Sequence, residues 1–431
     1  MANPVSTDAL EGLVIAKVDK IQNENEKIVE RFLKFFVSSV GIPQEYQNKF
    51  IREFWFKILI TFFITSVSSQ FLHCFFLNSI GDIIQALVFI LHSVFLNFAT
   101  FFIFVRQKYI VEMVKIKDDY FSGFYEKSLV MRNYMTADDK FKNFFVKFGT
   151  TTCLVHFSST VISPLLHFIF SDAEAGSDET LILPSWYPWQ ISNVVSYSLT
   201  FGLQFIQVTS LMVPILGNFI FVVYFVIEIR IQKTNLCTSL SNIVVYAYWE
   251  SMSNESPIFQ MLSANSGGNK SYDELLLEYL QDCIKHHILI NLFIRNFIKC
   301  YNLVFIGCLA YSVSNLSLIA YVVVLLQKEN ASWTSYITAL EGLAVVIAFI
   351  LLYCYLGEVI TSINIAVRNE LYDIKWYEQS AKYRSTMLTF MCLTQKDIVM
   401  KAGVQHIASY QLFASVLKTS YSFFNILYTS V

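Results

Sequence analysis

In the closing stretch QLFASVLKTSYSFFNILYTSV, the residues Ser415, Thr419, Ser422, Ile426 and Thr429 step by 4, 3, 4 and 3, so on a helix they share one face. Hydroxyls with one aliphatic side chain on a common face suit a water-filled pathway whose hydrophobic constriction closes by dewetting. The same small hydroxyl residues also suit close packing between helices in lipid. Spacing alone leaves both readings open. If the stripe lines a pathway, one helix cannot enclose it, and several subunits must contribute around an axis.

Other residue types narrow the chemistry. The histidines are His73, His92, His156, His167, His286, His287 and His406. Neighbours on a helix point about 100° apart, so His286 and His287 cannot close on one ion. No HExxH or carboxylate partner stands at ligand spacing, so the pair is expected on a helix surface and no metal site is predicted. The eight cysteines form neither CxxC pairs nor a disulfide ladder. Neither GxSxG, GxxxxGK[ST] nor GxGxxG occurs in a suitable context, so no catalytic residue, no cofactor and no enzyme is expected. Glu341 and Lys418 fall in apolar stretches, where an ionisable group either has a function or snorkels to an interface. His92 and His156 lie deeper, facing a neighbouring helix or a cavity.

These side chains need elements to hold them, and composition says which. A soluble domain averages about 45–50% apolar and about 25% charged residues. This chain has 55% and 15%, with 40 Phe and 24 Tyr, so lipid is one of its solvents. A net charge of −2 and the lack of a basic block give nucleic acid no footing. A crossing needs roughly 20 apolar residues. Seven stretches qualify, near Phe54–Leu77, Ile80–Val105, Phe144–Phe170, Val195–Ile229, Tyr301–Leu326, Tyr336–Leu356 and Gln411–Val431. The predicted fold class is an all-α membrane protein with seven transmembrane helices. The polar first fifty residues have no secretory-signal pattern, so the first span is expected to direct insertion.

Charge sets the direction. Of the 31 Lys and Arg residues, 27 fall in 1–53, 106–143, 230–300 and 368–402, on one side of the membrane. Lys57, Lys147 and Lys418 lie within spans and only Lys328 is left for the other side, whose 171–194 segment carries four acidic residues. The positive-inside rule therefore puts the N-terminus in the cytosol and the C-terminus outside. The expected organisation is a cytosolic segment 1–53, helices one to four over 54–229, a cytosolic loop and helix over 230–300, helices five and six over 301–356, a cytosolic anchor segment 357–410 and the last helix over 411–431.

Two cytosolic stretches read as amphipathic helices continuing the spans. In 271–300, Leu275, Leu276, Tyr279, Cys283 and Ile284 form a stripe, and 357–388 mixes apolar residues with charges. They predict a packed cytosolic domain, either an intramolecular bundle or a subunit interface. The stretch 251–271, rich in Ser, Asn and Gly, reads as a loop. Outside, LPSWYPWQIS (183–192) sets Trp186, Tyr187 and Trp189 among prolines, suited to a membrane-interface belt or to lidding a cavity.

With these pieces the chain resembles the insect odorant receptor family. The likeness is carried by LPSWYPW before the fourth span, CIKHHILINLF leading into the fifth, YLGEVITSINIAVRNELYDIKWYEQSAKYRSTML after the sixth, and AGVQHIASYQLFASVLKTSYSFFNIL at the close. It implies an odorant-gated, non-selective cation channel that assembles as a heterotetramer with the shared co-receptor subunits, in the plasma membrane of a sensory neuron dendrite. It also implies that the last helix lines the pore, with Ser422 on its lining, Ile426 at the gate and Thr429, a substitution, at the outer polar position. KTSYSFF and a short loop before the fifth span are similar to an odour-tuned subunit rather than to the co-receptor.

The resemblance further implies a pocket for a small volatile organic ligand between the outer halves of the second, third, fourth and sixth spans. Helical spacing there offers Val88, Leu91, His92 and Phe95; Phe157, Thr160 and Val161; Phe201, Gln204, Phe205 and Val208; and Tyr336, Leu340 and Leu343. Most are apolar, with a few polar groups to orient a ligand. A gustatory receptor of the same fold, a G-protein-coupled receptor and a membrane enzyme are the rivals. The charge count gives the orientation opposite to a G-protein-coupled receptor, and its DRY and NPxxY motifs are missing.

Overall fold

The computed structural model describes residues 49–77, 79–121, seven positions between 151 and 169, 181–191, 193–255, 271–328, 333–402 and 406–430. The N-terminal 48 residues, most of the third apolar stretch, the acidic outer segment 171–180 and most of the Ser- and Asn-rich loop lie outside the described residues, as do Phe157 and Thr160.

Nine α-helices are described: α1 (Lys49–Cys74), α2 (Ile80–Val105), α3 (Gln107–Ile116), α4 (Val194–Ser241), α5 (Ile243–Glu255), α6 (Tyr272–Lys328), α7 (Trp333–Asp373), α8 (Ala381–Thr394) and α9 (Tyr410–Ser430). A short antiparallel ribbon, Lys401–Ala402 with His406–Ile407, joins α8 to α9. Helices α1, α2, α4, α6, α7 and α9 carry the first, second, fourth, fifth, sixth and seventh apolar stretches. Local sequence explains where several begin. Ser271 and Glu274 cap α6 reciprocally, the serine backbone N–H donating to the Glu274 carboxylate at 3.0 Å and the Glu274 N–H to the serine hydroxyl at 3.4 Å. Ser79 caps α2 through the Gly81 N–H, 3.1 Å away.

Helix α6 is the spine. Its 57 residues extend about 85 Å, against a hydrocarbon layer of about 30 Å, so most of it lies outside the membrane. It packs against α2, α3, α4, α5, α7, α8 and α9. Helix α2 runs antiparallel along it: Gly81 meets Leu325, His92 meets Tyr311, and the Phe98 ring lies where a Cβ on Gly307 would be. Gly307 thus sets how closely these two helices approach.

Beyond the membrane, the cytosolic ends of α4, α6 and α7 close with α5 and α8 into a bundle. Leu236, Leu240, Ala247, Leu276, Leu280, Val367, Leu371, Tyr383, Met387 and Phe390 are fully buried there. Of the stripe read from the sequence, Leu275, Leu276 and Cys283 point into this bundle, while Tyr279 and Ile284 are half-buried. An outer face carrying Ile288, Leu292, Ile365 and Leu388 stays exposed.

The expectation of a surface His286–His287 pair is corrected. Both are buried: Phe121, in a π-helical turn after α3, packs edge-on against His286 with centroids 5.6 Å apart, and Phe390 does the same to His287 at 5.3 Å. His287 Nε2 lies 3.1 Å from Asn364 Oδ1. A helix inside a bundle is covered on several faces at once, which residue spacing along one segment cannot reveal. Burial pushes the His286 pKa down to about 3 and lowers that of His287, where the Asn364 contact partly opposes it.

Candidate functional site

The start of α9 is fixed by α7. The Tyr410 backbone N–H donates to Glu358 Oε1 at 3.1 Å, a carboxylate at the positive end of the helix dipole, and Leu412 N–H donates to Ser409 Oγ at 3.2 Å. Gly357 lies so close that a Cβ would overlap the Ala408 carbonyl. From there one face of α9 turns inward. Val416 and Ser420 are buried, Leu412, Phe413, Phe424 and Leu427 are half-buried, and the Ser317 hydroxyl of α6 donates to the Ser420 carbonyl at 2.9 Å.

The opposite face carries Ser415, Thr419, Ser422, Ile426 and Thr429, all exposed on the chain, Ile426 at 59%. Each hydroxyl donates to the carbonyl one turn back, at 2.8 to 3.1 Å. With their hydrogens used on the helix itself, these oxygens present lone pairs outward, an acceptor surface suited to water or a cation. Lys418 is exposed on the same helix and Glu341 is half-buried on α7. At the outer end, Lys328 Nζ sits 5.8 Å from the Tyr428 ring centroid.

The candidate ligand residues separate into groups. His92 and Phe95 are brought together by Tyr311 of α6: its hydroxyl is 2.7 Å from His92 Nδ1, and its ring stacks on Phe95 with centroids 4.4 Å apart. Phe349 of α7 meets Phe95 edge-on at 6.0 Å. Leu91 is half-buried beside them in sequence, and Leu343 packs against the main core. Val88 and Tyr336 share an outer cluster with Ile84, Tyr321, Val322 and the α9 residues Phe424 and Leu427. Val161, Phe201 and Val208 form a third group with Phe89, Ile182 and Leu183. Phe205 and Leu340 are exposed, at 40% and 56%.

Gln204 has a structural employment that its type did not announce. It is fully buried, its Oε1 accepts from the Ile182 and Leu183 N–H groups at 2.9 and 3.3 Å, and its Nε2 donates to the Leu183 carbonyl at 2.8 Å. It ties the outer segment down onto α4. In that segment Leu181, Ile182 and Leu183 are buried, while Trp186 and Trp189 are exposed. Trp186 N–H donates to the Ser69 carbonyl at 3.1 Å and its ring stacks on Phe76, and Trp189 Nε1 donates to Thr200 at 2.9 Å.

Tyr311 lies outside the sequence candidates, because the resemblance places the pocket among the second, third, fourth and sixth spans. The available signal was the polar run YSVSNLS at 311–317 inside an otherwise apolar helix.

The model of the 7tm odorant receptor family matches residues 79–421. Over 94% of this chain and 99% of the other, the fold superposes with a TM-score of 0.69 on an insect olfactory receptor of Machilis hrabei in complex with eugenol, at 14% identity. A second structure of that receptor gives 0.68 at 14% identity, over 94% of this chain and 98% of that one. Identity this low carries the seven-helix fold.

Proposed function

Since the chain belongs to the 7tm odorant receptor family, we propose that it is an odour-tuned subunit of a ligand-gated, non-selective cation channel, working in a heterotetramer with co-receptor subunits in the dendritic plasma membrane of a sensory neuron. The family and fold are those of receptors and channels rather than enzymes. The observation that carries the reading is the outward face of α9. Its inward face packs against α6, whereas Ser415, Thr419, Ser422, Ile426 and Thr429 are exposed on this chain, and the hydroxyl oxygens among them suit hydrated cations. Helices of this kind from several subunits enclose a conduit in which Ser422 and Thr429 are wetted and Ile426 forms the constriction.

In this reading a small volatile organic ligand binds among the second, third, fourth and sixth spans, where Val88, Leu91, His92, Phe95, Phe157, Thr160, Val161, Phe201, Gln204, Phe205, Val208, Tyr336, Leu340 and Leu343 were placed from the sequence. It opens the channel only by favouring the open arrangement of α9. Val88 and Tyr336 share a cluster with Phe424 and Leu427, which supports a short path from that region to the last helix.

The test is electrical. The chain is expressed with and without a co-receptor, and currents are recorded during an odour panel. Ligand-evoked cation current that survives block of G-protein signalling is expected, and current that vanishes with that block sinks the channel reading. Within a working channel, Ile426→Ser raises basal current several-fold with little change in protein yield, because the side chain is exposed. Unaltered basal current removes Ile426 from the constriction.

A further inference from the structure

Asn315 lies half-way along the membrane part of α6, is 1% exposed, and has no hydrogen-bond partner for Oδ1 or for Nδ2 among the described residues. It is the only described side chain with both polar atoms stranded in this way. Stranding a carboxamide in an apolar interior is costly, and buried polar groups are satisfied in the great majority of proteins. Within a bilayer, bulk water is not at hand to relieve it.

Its place says what could. Tyr311, one turn below on the same face, contacts His92 and Phe95 of α2. Ile319, one turn above, touches α7 at Gly342, where its Cδ1 is 3.5 Å from the Cβ position. Asn315 therefore faces the seam between α2 and α7. Because α2 is antiparallel to α6, with His92 beside Tyr311 and Ile84 beside Tyr321 and Val322, Asn315 stands level with Val88 and Leu91. The stranded carboxamide borders the candidate ligand region.

We propose that Asn315 is the polar anchor for a neutral ligand bearing a hydroxyl group, a specificity that rests on the odorant-receptor reading above. A hydroxyl donates to Oδ1 and accepts from Nδ2 through one oxygen, satisfying both atoms, whereas an ether, ester or ketone only accepts and leaves Oδ1 unmet. A charged group would carry a large desolvation cost in this seam. The hydrocarbon part of the ligand lies along Leu91, Phe95 and Leu343. Reaching Asn315 requires α2 and α7 to part, so occupancy itself biases the helix arrangement.

The experiment uses the full chain co-expressed with a co-receptor, stimulated with straight-chain primary alkanols and with methyl ethers of the same number of heavy atoms. The wild type is expected to respond at lower concentrations of alkanol than of ether. Asn315→Leu raises the half-maximal alkanol concentration about tenfold and moves the ether response by less than about twofold, since only the alkanol loses a matched pair of hydrogen bonds. Surface labelling verifies that the variant reaches the membrane, and Asn315→Ala supplies the same readout if it does not. The proposal is overturned if both series shift together, as an internal water or a packing role would make them, or if the wild type does not prefer alkanols. A wild type that answers other odorants but neither series overturns it as well. Absence of any ligand-evoked current from the wild-type assembly instead overturns the receptor-channel reading itself.

Discussion

Phe293, Phe297 and Phe390, on the cytosolic side of the molecule, are fully buried, whereas Leu199, Leu203, Phe205 and Leu340, in the outer halves of α4 and α7, are 40% to 65% exposed. The inner region must exclude water, so its apolar side chains are interlocked within the chain, and Phe225, Phe293 and Phe297 pack ring against ring. In the outer region lipid is as apolar as leucine, so exposed side chains there cost little. One region is built to stay as it is. The other presents apolar side chains that lipid itself can cover.

The largest expected effect tests this contrast directly. Phe293→Ala leaves a cavity in the interlocked core and should cost about 3–5 kcal/mol, while Phe205→Ala should cost less than about 0.5 kcal/mol. Melting of the purified chain in detergent measures both, and equal losses would erase the distinction between the regions.

Next in size is a pH effect confined to the inner region. His286 is held neutral down to about pH 3, whereas in the unfolded chain it titrates near 6.5. Above 6.5 neither state takes the proton and the residue contributes nothing. Below it the unfolded state binds a proton that the folded state refuses, so stability falls as pH drops, by about 1.4 kcal/mol per pH unit. Melting temperature should decline between pH 7.5 and 5.5, and His286→Gln should flatten that decline. A variant as acid-sensitive as the wild type would place the sensitivity elsewhere.

A local effect of similar size sharpens the outer side of the contrast. Gln204→Leu strands the backbone groups of Ile182 and Leu183, at about 1–3 kcal/mol, but the loss stays local. Hydrogen exchange at residues 181–185 should quicken and odorant sensitivity shift, with melting of the inner bundle unchanged. A matching drop in global melting would mean that the outer segment and the inner bundle unfold together.

What the amino-acid order determined was everything set by residue type and local spacing. Seven apolar stretches, their direction and the common face of Ser415, Thr419, Ser422, Ile426 and Thr429 follow from transfer of single side chains to lipid, from loop charge and from helical periodicity. The tertiary structure alone decided which neighbours those faces meet. His92 finds Tyr311 across 219 residues, Gln204 turns its carboxamide to the outer segment, and His286 and His287 disappear into a bundle assembled from four other elements. Contacts between distant segments depend on how several helices are placed at once, and no window along a single helix contains that information.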